Sequence, residues 1–298
     1  MAMLYSTTCP DGPSFSRIIA GAWRWHPGTN VDALTQTALD LGITTFDHAD
    51  IYGDYQNEIH FGTLLRKKSS LRQQMQLISK CGIKLISSRK PEHQIKHYDT
   101  SKAHILASVE QSLDNLCTDY LDLLLLHRPD PLMDPDEIAE AFLQLRDQGK
   151  VRYFGVSNFT PAQFELLAGT LPMPLVTNQI EISAFQPAPL LNGSVEYLHA
   201  RRVSPMAWSP LGGGKFLNGE NEVGRRVLDG LNKWTIERGA TTTHYLLAWL
   251  LRHPANLFPV IGTSRTERIA EAASAVNHEM SRQDWFQILQ WSLGKEVA

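Results

Sequence analysis

Short β-favouring runs alternate with longer amphipathic stretches from one end of the chain to the other. The runs are Arg17–Ala20, Thr44–Asp47, Gln76–Lys80, Tyr120–Leu126, Val151–Val156, Val176–Ile180, Val203–Ala207 and Leu257–Ile261. Between them Val31–Leu41, Lys102–Leu116, Pro135–Gln148 and Pro161–Leu167 have helical spacing, and Asp134-Pro135 starts one of these helices while Gly149 ends it. No linker or low-complexity segment interrupts the alternation. About eight strands separated by helices is the strand count of a closed (β/α)8 TIM barrel, the α/β fold class expected here. A doubly wound open sheet is the alternative. Its dinucleotide fingerprint needs GxGxxG after the first strand, where this chain has Gly21-Ala22-Trp23. Ser281–Leu293, with Trp285, Ile288, Leu289 and Trp291, reads as a C-terminal packing helix.

Composition narrows the partners. At 298 residues a prior of ~150 residues per domain suggests two domains, but barrels of ~250 residues fold as one. One domain over residues 1–298 is therefore expected. Lys plus Arg total 28 and Asp plus Glu 31, a net charge of −3, and the one basic run is Arg66-Lys67-Lys68. Nucleic acid and anionic lipid are thus not expected partners. The three cysteines, Cys9, Cys81 and Cys117, form no CxxC pair, so neither a disulfide framework nor a zinc ribbon is indicated. The N-terminus lacks a basic leader with an apolar core, and Asp122 breaks the longest apolar stretch. A cytoplasmic location is expected. Eleven histidines include no HxH or HExxH spacing, so no metal is expected. Gly212-Gly213-Gly214-Lys215 is followed by Phe216 instead of Ser or Thr, which excludes a P-loop; the glycines instead suit a loop passing close to a cofactor pyrophosphate.

Barrel chemistry sits at the C-terminal ends of the strands. Asp47 closes the second strand candidate and Lys80 the third, His127 follows the fourth, Ser157-Asn158 follow the fifth, and Gln179 ends the sixth. Tyr52 lies on the loop after Asp47. A phenol with a reference pKa near ~10 exchanges protons poorly at neutral pH, and an ammonium nearby lowers that value. Lys80 is placed to supply the ammonium, Asp47 to keep it charged, and His127 to orient a substrate oxygen. Taken singly, a rim lysine, a loop tyrosine and a strand-end histidine are ordinary structural residues. Their convergence on one end of three consecutive strands is what points to a site.

Asp47-His48-Ala49-Asp50-Ile51-Tyr52-Gly53, Asp119-Tyr120-Leu121-Asp122-Leu123 running to His127, and Gly149-Lys150-Val151-Arg152-Tyr153-Phe154-Gly155-Val156-Ser157-Asn158-Phe159 resemble, in order, three segments of the aldo/keto reductase family. The chain looks most like its bacterial branch of oxidoreductases. The resemblance implies that Tyr52, Asp47, Lys80 and His127 form a catalytic tetrad, with Tyr52 as general acid in NADPH-dependent reduction of an aldehyde or ketone. It also implies that Ser157, Asn158 and Gln179 bind the nicotinamide carboxamide and that Trp208 stacks on the ring where relatives usually carry Tyr or Phe. Ser209, Leu211 and Gly212 belong to the same cofactor loop. After the last strand, Gly262, Thr263, Ser264, Arg265 and Arg268 match the segment for the adenosine phosphate, and Glu271 the adenine contact, although Ala272 stands where many members have Asn. Ser264 and Glu267 have capping-box spacing, and Arg265 and Arg268 share a helical face, favouring NADP through a 2′-phosphate. Trp23, Trp25, His26, Tyr55 and Arg128 are expected to border a pocket for a small carbonyl substrate. Asn218–Arg226 is too polar and glycine-containing to suggest a long lid. Two other readings stay open: a nicotinamide-binding regulatory or sensor protein with little turnover, and a Schiff-base aldolase using Lys80.

Overall fold

In the computed structural model, which describes residues 5–214 and 221–298, eight parallel strands close into a barrel. They are β1 (Ile19–Gly21), β2 (Thr45–Asp47), β3 (Gln76–Cys81), β4 (Leu121–Leu126), β5 (Val151–Ser157), β6 (Leu175–Glu181), β7 (Met206–Trp208) and β8 (Phe258–Ile261). Each pairs with its sequence neighbour, and β8 returns to β1. This is a (β/α)8 barrel with helices around it. All eight strands fall within a few residues of the apolar runs. β1 begins at Ile19 instead of Arg17, and β7 at Met206 instead of Val203.

Burial explains the strand composition. β4 is buried along its whole length although Asp122 lies inside it. The Asp122 carboxylate meets Arg72 at 2.7 Å and Arg152 at 3.1 Å and accepts the Leu77 N–H at 2.9 Å, so the charge that interrupts the apolar run is paired. Gly155 in β5 is required by close packing, because a Cβ there would come within 2.8 Å of Leu125 and of the Thr177 carbonyl oxygen.

Helix starts follow side-chain capping. Asn30 caps Val31–Asp40, Ser101 caps Lys102–Leu116 and Asp134 caps Pro135–Asp147, while Thr160 and Gln163 form a capping box for Pro161–Thr170. Helix Glu222–Arg238 buries Val227, Leu231 and Trp234 at helical spacing. Helix Thr242–Leu251 carries no clear periodic pattern in the sequence: it is apolar nearly all round, buried from Tyr245 to Leu250, and so has no polar face to set a period.

Two hairpins lie outside the barrel: Tyr5–Thr7 with Ser14–Ser16, and Ile83–Lys84 with His97–Tyr98. The second, after β3, forms a rim over the barrel mouth. At the other end of the chain, helix Arg282–Leu293 packs on Glu222–Arg238 as anticipated for a packing helix. Gly230 leaves room for Trp291, whose ring would sit 2.5 Å from a Cβ. Trp249 and Trp285 stack at 5.1 Å, and each indole N–H donates to the other residue's carbonyl oxygen. No helix among the described residues is long and apolar enough to cross a membrane.

Candidate active site

The rim at the C-terminal ends of β2, β3 and β4 brings four polar side chains together. Lys80, buried at the end of β3, donates to Asp47 Oδ2 at 2.6 Å, to the Tyr52 hydroxyl oxygen at 2.9 Å and to the His48 carbonyl oxygen at 2.9 Å. Tyr52 reaches this point because the chain turns sharply just after it: Gly53, Asp54 and Tyr55 all have φ between 55° and 64°. His127 follows β4 and stands edge-on to the Tyr52 ring, with centroids 5.8 Å apart.

Burial and charge set the protonation states. Burial pulls the Lys80 ammonium downward, but Asp47 and Tyr52 more than offset it, so its pKa lies above the ordinary lysine value. For Tyr52 burial dominates and raises the phenol, while Lys80 opposes it. The lowering expected from Lys80 is thus present but outweighed, and Tyr52 is a protonated phenol. Burial, reinforced by Lys80, Arg128 and Lys96, holds His127 well below its usual range, so the imidazole is neutral; its buried Nδ1 has no partner among the described residues. The arrangement presents a proton donor and a neutral imidazole to one spot in a positive local field.

These groups open into a cavity of about 850 Å³ that runs toward the loops after β7 and β8. On its inner wall the Ser157 hydroxyl donates to the Gln179 carbonyl oxygen at 2.8 Å. Asn158 donates to Ser157 Oγ at 2.7 Å and accepts the Trp208 indole N–H at 3.0 Å. A phenylalanine at position 208 would have no such donor. Gln179 Nε2 donates to Asp47 Oδ1 at 2.9 Å, joining this wall to the Lys80 cluster, a link no sequence pattern signals. Asn158 and Ser209 are non-glycine residues held at φ 63° and 51°, so backbone strain gathers on this wall.

Gly262, Thr263, Arg268 and Glu271 line the far end, along with Leu211 and Ser209 nearer the middle. Several expectations need correction. Ser264 does not cap the following helix, Thr266–Ser274; Arg265 occupies the N-cap position, and its backbone N–H is taken by Thr263 Oγ1 at 3.1 Å. Neither Ser264 nor Arg265 lines the cavity, and Arg265 lies exposed, 3.6 Å from Glu267. Gly212 is buried and does not line the cavity. Tyr55 accepts the Leu85 N–H at 2.9 Å and braces the mouth hairpin instead of lining the pocket. Trp25 is a core residue, 1% exposed against Phe46 and Phe61, with its indole N–H on the Thr263 carbonyl at 2.7 Å. His26 lies outside the cavity. Trp23 and Arg128 do line it. Lys215 and residues 218–220 lie outside the described residues, and Asn221 caps helix Glu222–Arg238.

Sequence reasoning missed Arg24, whose guanidinium donates to the Gly262 carbonyl at 3.0 Å and the Gly213 carbonyl at 2.6 Å. It also missed Leu85, Lys96 and Tyr98, which the mouth hairpin brings to the cavity. Arg24 was findable as a charged residue just past a strand end; the hairpin, two residues per strand, carried no periodic signal. The donor set along the cavity fits a dinucleotide. Amide groups and a half-buried indole stand beside the proton donor, glycines with φ of 64° and 85° follow in the middle, and a guanidinium lies beside a helix N-terminus at the far end.

The Aldo/keto reductase family model matches residues 17–291. The chain is 48% identical over 288 residues to the uncharacterized oxidoreductase YcsN of Bacillus subtilis, covering 95% of this chain and 96% of that protein. It is 44% identical over 293 residues to a 6-dehydroglucose reductase of Agrobacterium fabrum, covering 97% and 98%. Among solved structures, a thermostable aldo-keto reductase in complex with the inhibitor epalrestat superposes with a TM-score of 0.81 at 25% identity, covering 97% of this chain and all of that one.

Proposed function

The chain belongs to the aldo/keto reductase family, and on that footing we propose that it reduces an aldehyde or ketone to an alcohol with NADPH, Tyr52 giving the proton. The observation that carries this reading is Lys80 Nζ, 2.9 Å from the Tyr52 hydroxyl and 2.6 Å from Asp47. As the carbonyl oxygen gains negative charge it takes the phenolic proton, and the phenolate left behind is stabilised by the adjacent ammonium. Asp47 keeps that ammonium charged, and the neutral His127 orients the carbonyl oxygen. Asn158, Gln179 and Trp208 would hold the nicotinamide, and Arg268 with the N-terminus of helix Thr266–Ser274 the adenosine phosphate; the bound cofactor supplies the hydride. Arg268 supports NADPH over NADH, since a guanidinium fork suits a 2′-phosphate. The Agrobacterium relative's name supports a sugar-derived carbonyl as the substrate.

A Schiff-base aldolase needs a neutral amine. Lys80 is buried against a carboxylate with its pKa raised, which disfavours that role. The test is a panel of carbonyls followed by NADPH absorbance, with Tyr52→Phe as control. The variant should lose ~10²–10⁴-fold in kcat/KM while NADPH affinity, read by fluorescence, stays unchanged. Undiminished turnover in the variant would remove Tyr52 from the role. A wild type that binds NADPH but turns over none of the panel would favour a sensor.

A further inference from the structure

The charges around the substrate end of the cavity do not cancel. Lys80 and Asp47 neutralise each other at 2.6 Å, and Asp54 on the rim has Arg89 at 3.6 Å. Arg128 and Lys96 remain. Both line the cavity beside His127, and neither has a carboxylate within ion-pair distance among the described residues. Arg128 comes from the residue after His127, and its guanidinium lies 5.7 Å from the Trp208 ring. Lys96 immediately precedes the second strand of the mouth hairpin. That hairpin is fixed by the pairing of Ile83 with Tyr98, the Asp99 N–H to the Gly82 carbonyl at 3.0 Å and the Leu85 N–H to Tyr55 at 2.9 Å. The two cations therefore reach the cavity from different parts of the fold, one on the barrel and one beside the hairpin. Two unpaired like charges facing one cleft repel each other, and a cleft with low-dielectric walls focuses their field on whatever enters.

Resting on the reductase reading, we propose that the substrate is an anionic carbonyl compound, its carboxylate, phosphate or sulfonate held between Arg128 and Lys96 while its carbonyl oxygen meets Tyr52 and His127. Lys96 is then a specificity-determining residue. It touches the charged end of the substrate and takes no part in the proton transfer.

Matched pairs test this: 4-oxobutanoate against 4-oxobutanamide, and glyceraldehyde 3-phosphate against glyceraldehyde, each with NADPH at low ionic strength. Wild-type kcat/KM should favour the anionic member of at least one pair by about tenfold or more, equivalent to about 1.4 kcal/mol, and added salt should erode that preference. The pair that shows it identifies carboxylate or phosphate as the preferred group. Lys96→Gln, at an exposed hairpin position, should lose most of the preference through KM and leave the neutral member within about twofold. Equal use of charged and neutral members, or a Lys96→Gln loss that falls on both alike, overturns the anionic-substrate proposal while leaving the reductase reading intact. Absence of turnover for every member overturns both.

Discussion

Replacing Lys80 with Met removes three hydrogen bonds at once, to Asp47, Tyr52 and the His48 carbonyl. It leaves a buried carboxylate, 2% exposed, with the 2.9 Å bond from Gln179 as its remaining side-chain partner. Removing one member of a buried ion pair costs ~3–5 kcal/mol, a large share of the ~5–15 kcal/mol that separates folded from unfolded protein. Asp47→Asn alone should cost less, because the ammonium keeps the Tyr52 and His48 oxygens. In the double variant Asp47→Asn with Lys80→Met no charge is stranded, and the amide oxygen introduced in place of the carboxylate still accepts from Gln179. Its stability should return to within ~1–2 kcal/mol of wild type, a coupling of at least ~2–3 kcal/mol, to which whatever Asp47→Asn costs alone is added. Urea denaturation at pH 7 is the assay. The Lys80 pKa is raised, so the pair's contribution is fully present below the unfolded lysine value of ~10.4 and is lost only as pH rises through the folded value. Carbonyl reduction should remain abolished in the double variant even though its stability is restored, which separates what the pair does for the fold from what it does for proton transfer. Additive losses would refute the coupling; restored turnover would refute the role of Lys80 beside the phenol.

Two further outcomes follow from the geometry. Arg268→Ala should lose about tenfold in NADPH affinity and little in NADH affinity, consistent with a charge-assisted bond of ~1.5–3 kcal/mol, whereas Arg265→Ala, at an exposed residue outside the cavity, should change neither; isothermal titration with both cofactors checks this, and equal effects from the two arginines would sink it. His48 has both ring nitrogens buried without partners among the described residues, its ring 4.5 Å from Phe61, and burial followed by the nearby Lys80 lowers its pKa to about 3. The unfolded chain therefore binds a proton below ~6.5 that the folded protein refuses, so its contribution is fully present above that pH and declines as pH falls toward the folded value. His48→Leu should reduce the pH dependence of stability between pH ~6 and ~4 by about 1.4 kcal/mol per pH unit, and an unchanged slope in urea melts would contradict it.

Strand positions were legible because buried parallel strands are written as apolar runs, and the gathering of Asp47, Tyr52, Lys80 and His127 was legible because barrel geometry brings strand ends together. What stayed hidden depends on contacts between distant segments. Neither the Gln179 bond to Asp47, which spans 132 positions, nor the turn of Trp25 into the core has a local signature. The Ser264–Glu267 spacing is a true local pattern that loses to tertiary context: Thr263 takes the first free N–H, and Arg265 becomes the cap. The phenol's protonation is hidden for a similar reason. The charge of Lys80 is readable from sequence, but the degree of burial around Tyr52 is not.

Arg24 spans the loops after β7 and β8, with one guanidinium nitrogen on Gly213 and another on Gly262. Those two loops are consequently not independent modules. A graft of either one with a different backbone path removes one of the two acceptors of Arg24, so either loop is exchanged together with the other and with the residue at position 24.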